Sequence, residues 1–260
     1  MKTPRRKFLT STLVGGTALG ASVLLPGGLE LTLLGQQEKA APTANPAEQK
    51  AAGQKPADQK PTAQKNDDTP NEDDVSANED LMREHGVLNR ILLIYDEANR
   101  RIQIKEKFDL EIVGKAAGMI TRFIEDYHEK LEEKHIFPRF EQARTLTDLT
   151  INLRAQHAMG RRVTERIAAS TKSKDLVTMS AGLTAFIRMY RPHEAREDTV
   201  LFPALHKLVS PHEYDAMGEE FEKIERKTFG GDGFDMAVDQ VTELEKQFGI
   251  YDISQFTPES

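Results

Sequence analysis

Cysteine is absent from this chain of 260 residues. Its absence excludes disulfides, iron–sulfur clusters, thiolate zinc sites and a lipidated N-terminal cysteine. Any metal must therefore be held by nitrogen and oxygen. Tryptophan is absent too, which decides little about function. No stretch shows the alternation and β-branched density of a strand. A basic stripe is also lacking: Asp and Glu number 42 against 35 Lys and Arg, for a formal net charge of −7. Nucleic acid is therefore not an expected partner. What remains is 30% charged and only 38% hydrophobic, a balance suited to a helical bundle with solvated outer faces. The length fits one ordinary domain plus appendages.

The appendages lie at the start. Residues 1–35 read as a signal segment: Pro4-Arg5-Arg6-Lys7-Phe8-Leu9 precedes the weakly apolar run Thr10 to Leu25. The pattern resembles a twin-arginine-type export signal, which implies a periplasmic or other extracytoplasmic location. No clean Ala-x-Ala follows the apolar run directly, so an uncleaved N-terminal segment is the one membrane contact left open. Residues 36–75 are rich in Pro, Ala, Gln and Lys, with Asp and Asn and almost no large apolar residue, and Gln-Lys recurs at Gln49, Gln54, Gln59 and Gln64. Such a segment cannot bury enough surface to offset its ordering entropy, and it reads as a disordered linker.

Helical periodicity begins near Ser76, where Ser76-x-x-Glu79 forms a capping box. The first helix carries Leu81, Leu88, Leu92 and Tyr95 inward. The second runs from about Asp109 to Phe140, with Ile112, Ala116, Met119, Ile120, Phe123, Tyr127 and Leu131 inside. The third spans about Leu149 to Ser170 through Leu153, Ala158 and Val163. Ser173 is the expected cap of the fourth, which continues through Leu176, Leu183, Phe186, Ile187 and Tyr190. Met119, Met159 and Met189 suit core gaps, whereas His135, His206 and His212 read as surface residues. Long helices with short connections predict an all-α, antiparallel four-helix bundle. Ser210-Pro211-His212-Glu213 starts a further helix, so the bundle and this helix occupy 76–228. A break at Gly230-Gly231-Asp232-Gly233 leads to a C-terminal helix and tail over 229–260. These additional C-terminal helices are expected to pack outside the bundle.

The chemistry lies in a repeat. His-x-x-x-Glu followed by x-x-x-x-Phe-Pro occurs as His128, Glu132, Phe137, Pro138 and again as His193, Glu197, Phe202, Pro203. A solitary histidine stands a helix before each copy: His85 and His157. Residues four apart share a helix face, so each copy aims an imidazole and a carboxylate at one point. Four imidazoles and two carboxylates on four helices would hold two metal ions. This donor set suits iron, manganese or zinc. Buried carboxylates without partners would otherwise be too costly.

The set resembles the hemerythrin family, in its HHE cation-binding branch. The resemblance rests on Arg83-Glu84-His85, on His128 to Glu133 with Phe137-Pro138, on Gln156-His157, and on His193 to Asp198 with Phe202-Pro203. It implies a hemerythrin-like bundle with a di-iron centre, manganese or zinc being the less favoured metals. One ion would take His85 and His128, the other His157 and His193, with Glu132 and Glu197 bridging. The oxygen-carrying members have a second histidine one turn after the first on the third helix, where this chain has Arg161. Each ion is thereby left with an open position, unless Glu129 or Glu194 swings in to close it. Arg161 is placed either to be solvated or to pair with a bridging acid. Tyr190 is placed either to pack or to hydrogen-bond a bound species. The resemblance points to a protein that binds or reduces O2 or peroxide, with a peroxidase- or catalase-like oxidoreductase as one reading. A non-catalytic module that senses or stores oxygen, nitric oxide or iron is the other.

Overall fold

The computed structural model describes residues 75–258. The signal segment and nearly all of the linker lie outside the described residues. Within them the chain forms six helices: α1 (Ala77–Gln103), α2 (110–143), α3 (Thr147–Ser173), α4 (176–208), α5 (Pro211–Phe229) and α6 (Gly233–Phe248). A 3₁₀ turn, Ile253–Phe256, follows. The all-α expectation holds. α1 packs on α4, α4 on α3 and α3 on α2, and α2 returns to α1. Short connections make neighbours antiparallel. Arg144 and Leu146 between α2 and α3, and Lys174 between α3 and α4, take left-handed backbone angles (φ 53°, 50° and 56°) that turn the chain within a few residues.

The caps explain where the helices begin. Ser76 Oγ accepts from the Glu79 amide and Ser210 Oγ from the Glu213 amide, satisfying N–H groups that have no partner in the helix. Asp109 and Asp232 do the same for α2 and α6. The cap of α4 corrects the expectation. Asp175, not Ser173, accepts from the amides of Val177 and Thr178. Ser173 instead ends α3, because the left-handed turn at Lys174 leaves only Asp175 in the extended conformation a cap needs.

α2 and α4 are not uniform α-helices. Their backbone widens into π-helical turns over Ile120–His128, Glu132–Ile136 and Glu197–Leu201. The cause of the last two can be read in the Phe-Pro tails. Proline lacks an N–H, and its ring clashes with the carbonyl four residues back in an α-helix. Here the Phe137 amide donates to Glu132 O and the Phe202 amide to Glu197 O, five residues back in each case, just before Pro138 and Pro203. Each wide turn thus begins at a motif glutamate. α4 meanwhile continues as helix through Pro192.

The expected inner residues of α1 and α2 are buried. On α3 the inner face is Leu153, His157, Gly160, Val163, Thr164 and Ile167. Ala158 and Met159 face out: with His157 turned inward, its next two neighbours are carried about 100° and 200° around the helix. Leu176, in the first turn of α4, is exposed too. Met119 is buried and Met189 half-buried. His206 and His212 are exposed, but His135 is half-buried with its ring edge-on to Phe221 at 5.6 Å. α5 and α6 lie against the bundle as expected. Arg90 on α1 donates from Nε to Glu245 Oε1 (3.0 Å), and Phe229 stacks edge-on to Tyr127 at 5.1 Å. Among the described residues no helix is long and apolar enough to cross a membrane.

Candidate metal centre

The four bundle helices bring all six singled-out residues together. His85 comes from α1, His128 and Glu132 from α2, His157 from α3, and His193 and Glu197 from α4. Each is at most 4% exposed. Ligand atoms of Glu132, His157, His193 and Glu197 lie within 4.8 Å of one another, as do those of His85, His128 and Glu132. Glu132 Oε2 is 3.6 Å from His128 Nε2 and 3.5 Å from His157 Nε2. Glu197 Oε2 is 3.4 Å from His85 Nε2 and 3.1 Å from His193 Nε2. Each glutamate therefore touches an imidazole of both pairs, as a bridge between two ions must. His85 and His128 are neighbours at 4.7 Å between ring centroids, and His157 and His193 at 5.0 Å.

Every imidazole presents Nε2 to this centre because its Nδ1 is engaged outside. His128 Nδ1 donates to Glu84 Oε2 (2.7 Å) and His85 Nδ1 to Asp198 Oδ1 (2.8 Å). His193 Nδ1 donates to Gln156 Oε1 (2.9 Å) and His157 Nδ1 to Glu133 Oε1 (3.1 Å). With the proton on Nδ1, the Nε2 lone pair is free to ligate, and the ring's orientation is fixed. The lone histidines are further held by the motif phenylalanines: Phe202 stacks on His85 at 5.7 Å and Phe137 on His157 at 5.5 Å.

These outer partners obey the same repeat as the ligands. The residue before each lone histidine, Glu84 or Gln156, holds the motif histidine of another helix. The residue after each motif glutamate, Glu133 or Asp198, holds the lone histidine. A third layer repeats as well. The residue four after each lone histidine, Asn89 or Arg161, binds the residue after a motif histidine, Glu194 or Glu129. None of these roles was read from the sequence, yet the signal was there: each partner abuts a ligand, or lies one turn from one, in both copies.

Arg161 does not reach a bridging acid as expected. Its Nη2 donates to Glu129 Oε2 (2.6 Å) and Glu133 Oε1 (2.7 Å), because those carboxylates stand between it and the centre. Glu129 also accepts from Tyr190 Oη at 2.7 Å, so Tyr190 binds an acid and Glu129 is occupied. Gly160 makes this possible: a Cβ there would lie 2.0 Å from the Tyr190 hydroxyl. Glu129, Glu133 and His157 form a third group of potential ligands, but the guanidinium already supplies its cation.

The charges inside are poised for something cationic. None of the four carboxylate oxygens of Glu132 and Glu197 has a hydrogen-bond partner, although both residues are fully buried. Burial, then the charges of Glu197 and Glu129, push Glu132 well above the usual carboxylate range. Burial would raise Glu197 too, but the nearby charge of His193 prevails and holds it well below. Burial disfavours the His85 cation, yet its hydrogen bond to Asp198 and the nearby charge of Glu197 hold its pKa up at about 10. His128 is driven well below its ordinary value by burial and then by the charge on His85. Two unpartnered buried carboxylates ringed by four Nε2 atoms fit a pair of divalent cations.

Without bound metal, His85 thus carries a proton at neutral pH, and Glu132 holds its proton more tightly than an ordinary carboxyl group. Metal must displace them. Loading with a divalent ion in weakly buffered solution should therefore release protons, and apparent affinity should rise with pH between about 6 and 8. A pH-stat titration measures this, and metal uptake without proton release would contradict the geometry.

Comparison with known proteins agrees with this arrangement. Residues 76–229, from the α1 cap through α5, match the family model for the hemerythrin HHE cation binding domain. The chain is 50% identical over 197 residues to the uncharacterized proteins Mb2018 of Mycobacterium bovis and Rv1995 and MT2051 of Mycobacterium tuberculosis. The similarity covers 73% of this chain and 77% of each relative. No solved structure matches. A metal-binding bundle with this repeat and this family match belongs to the hemerythrin HHE cation-binding family.

Proposed function

We propose that the six side chains hold a pair of iron ions and that the protein binds or reduces O2 or peroxide at this pair. The observation that carries the reading is the double contact of Glu132 and Glu197, each reaching an imidazole of both histidine pairs. Nitrogen and carboxylate donors without sulfur suit iron over softer metals. An iron pair supplies polarisation of a bound oxygen ligand and redox equivalents. The chain supplies the rest. Four Nδ1 hydrogen bonds orient the imidazoles, burial excludes water, and Arg161 with Tyr190 keeps Glu129 engaged away from the centre. With two imidazoles and the two shared carboxylates to hold it, each ion would retain room for a small ligand.

Enclosure of the centre also favours the second reading, a non-catalytic sensor or store of oxygen, nitric oxide or iron. Turnover separates the two. Iron-loaded protein acting as an oxidoreductase should consume peroxide over many cycles, and Glu132→Ala should lower this by more than about 100-fold, since even outer partners of ligands are worth 10–100-fold. A stable, reversible adduct without sustained consumption would support the binder instead. Neither turnover nor adduct in the iron-loaded protein would end the proposal.

We further propose export by the twin-arginine route, on the strength of Arg5-Arg6-Lys7-Phe8-Leu9. Lysine at both Arg5 and Arg6 should trap the protein inside its cell, as seen by fractionation. Undiminished export would contradict this reading.

A further inference from the structure

The outer layer repeats in position but not in chemistry. On the His85–His128 side both imidazoles donate to carboxylates, Asp198 and Glu84. On the His157–His193 side Gln156, a neutral amide, stands where the repeat has Glu84. The remaining carboxylate there, Glu133, gives the same oxygen to His157 and to the Arg161 guanidinium. The third layer is lopsided too: Glu194 is held by the uncharged Asn89, while Glu129 is held by Arg161. Arg161 is charged at any accessible pH.

We infer that the two metal positions are unequal, and that the one between His85 and His128 is the stronger. The inference rests on the paired-metal reading above. An imidazole whose N–H points at a carboxylate is more basic at its other nitrogen, and it stabilises the positive charge of a bound ion better than one donating to an amide. Two such carboxylates serve the first position. At the second, one support is neutral and the other is shared with a permanent cation. Glu132 and Glu197 reach both positions and so do not discriminate. Gln156 and Arg161 are positioning residues here: they act through His193 and through Glu133 on His157, and neither occupies a ligand position.

The result is a centre whose second ion is held less tightly and is the first to be lost. It also makes the pair chemically directional. The weaker-donor position, beside Arg161, carries the greater unneutralised positive charge and attracts an anionic or electron-rich small ligand more strongly.

Stepwise loading of the full, metal-free chain with cobalt(II), followed by its visible absorption, tests the inference. Two neighbouring cations repel each other, so unequal steps alone do not decide it; the step that each substitution moves does. Glu84→Gln should weaken the first, tighter step by about 10–100-fold. Gln156→Glu should strengthen the second step by a comparable factor and leave the first nearly unchanged. Arg161→Met, which frees Glu133 for His157 alone, should also strengthen the second step. Circular dichroism and thermal melting check that each variant is folded, and Gln156→Glu, a gain in affinity, cannot arise from misfolding. Should Gln156→Glu strengthen the first step, or Glu84→Gln weaken only the second, the order is reversed and the inference fails. Equal responses of both steps would also overturn it. Binding of fewer than two cobalt ions would overturn the paired-metal reading itself.

Discussion

Two carboxylates with no access to water and no hydrogen-bond donor set the terms for the bundle interior. Glu132 and Glu197 are fully buried, and an isolated buried charge of this kind costs several kcal/mol even after relaxation. Without bound metal, part of that cost is offset by the raised proton affinity of Glu132 and by the charge on His85. Such an arrangement serves a purpose only if something more highly charged replaces the protons. Much of the surrounding layer follows from that requirement: Nε2 faces inward, Nδ1 is tied outward, and phenylalanine rings close two sides.

The repeat gives that constraint its economy. One pattern, a polar residue and histidine on one helix followed by His-x-x-x-Glu-acid and Phe-Pro on the next, builds each half of the centre. Its parts cross between helices, so the halves lock together: Glu84 of α1 holds His128 of α2, and Asp198 of α4 holds His85 of α1. The Phe-Pro tail has two tasks. Its proline forces the wide turn that begins at the motif glutamate, and its phenylalanine stacks on a lone histidine. Differences between the copies then fall on the outer residues, Gln156 against Glu84 and Arg161 against Asn89, where they alter the electrostatics without removing a ligand.

The helices and the six central residues were legible in the sequence because both are periodic signals. A spacing of four survives translation into structure, and it recurs in two copies. The outer partners were not legible in the same way. Glu84, Gln156, Glu133 and Asp198 reach across to other helices, and only the three-dimensional packing says which histidine each meets. The π-turns left no trace in hydrophobic periodicity, since a hydrogen bond shifted by one residue barely disturbs it over so short a stretch. The prolines of the Phe-Pro tails were the one sign of the turns at Glu132 and Glu197, and the turn over Ile120–His128 had none. Arg161 was seen as a replaced ligand, but its partners, Glu129 and Glu133, depended on which way a long side chain turned. Hydrophobic character alone draws Ala158 and Met159 inward, but the inward turn of His157 carries both to the outer face of α3.

The central claim is that six side chains enclose two metal ions, shared through Glu132 and Glu197. Diffraction from crystals of the iron-loaded protein, collected across the iron absorption edge, tests it most directly. The account requires two separate anomalous peaks inside the bundle, one against His85 and His128 and the other against His157 and His193, with both glutamates in contact with both. A single peak, peaks elsewhere on the protein, or a centre that stays metal-free under saturating iron would contradict it.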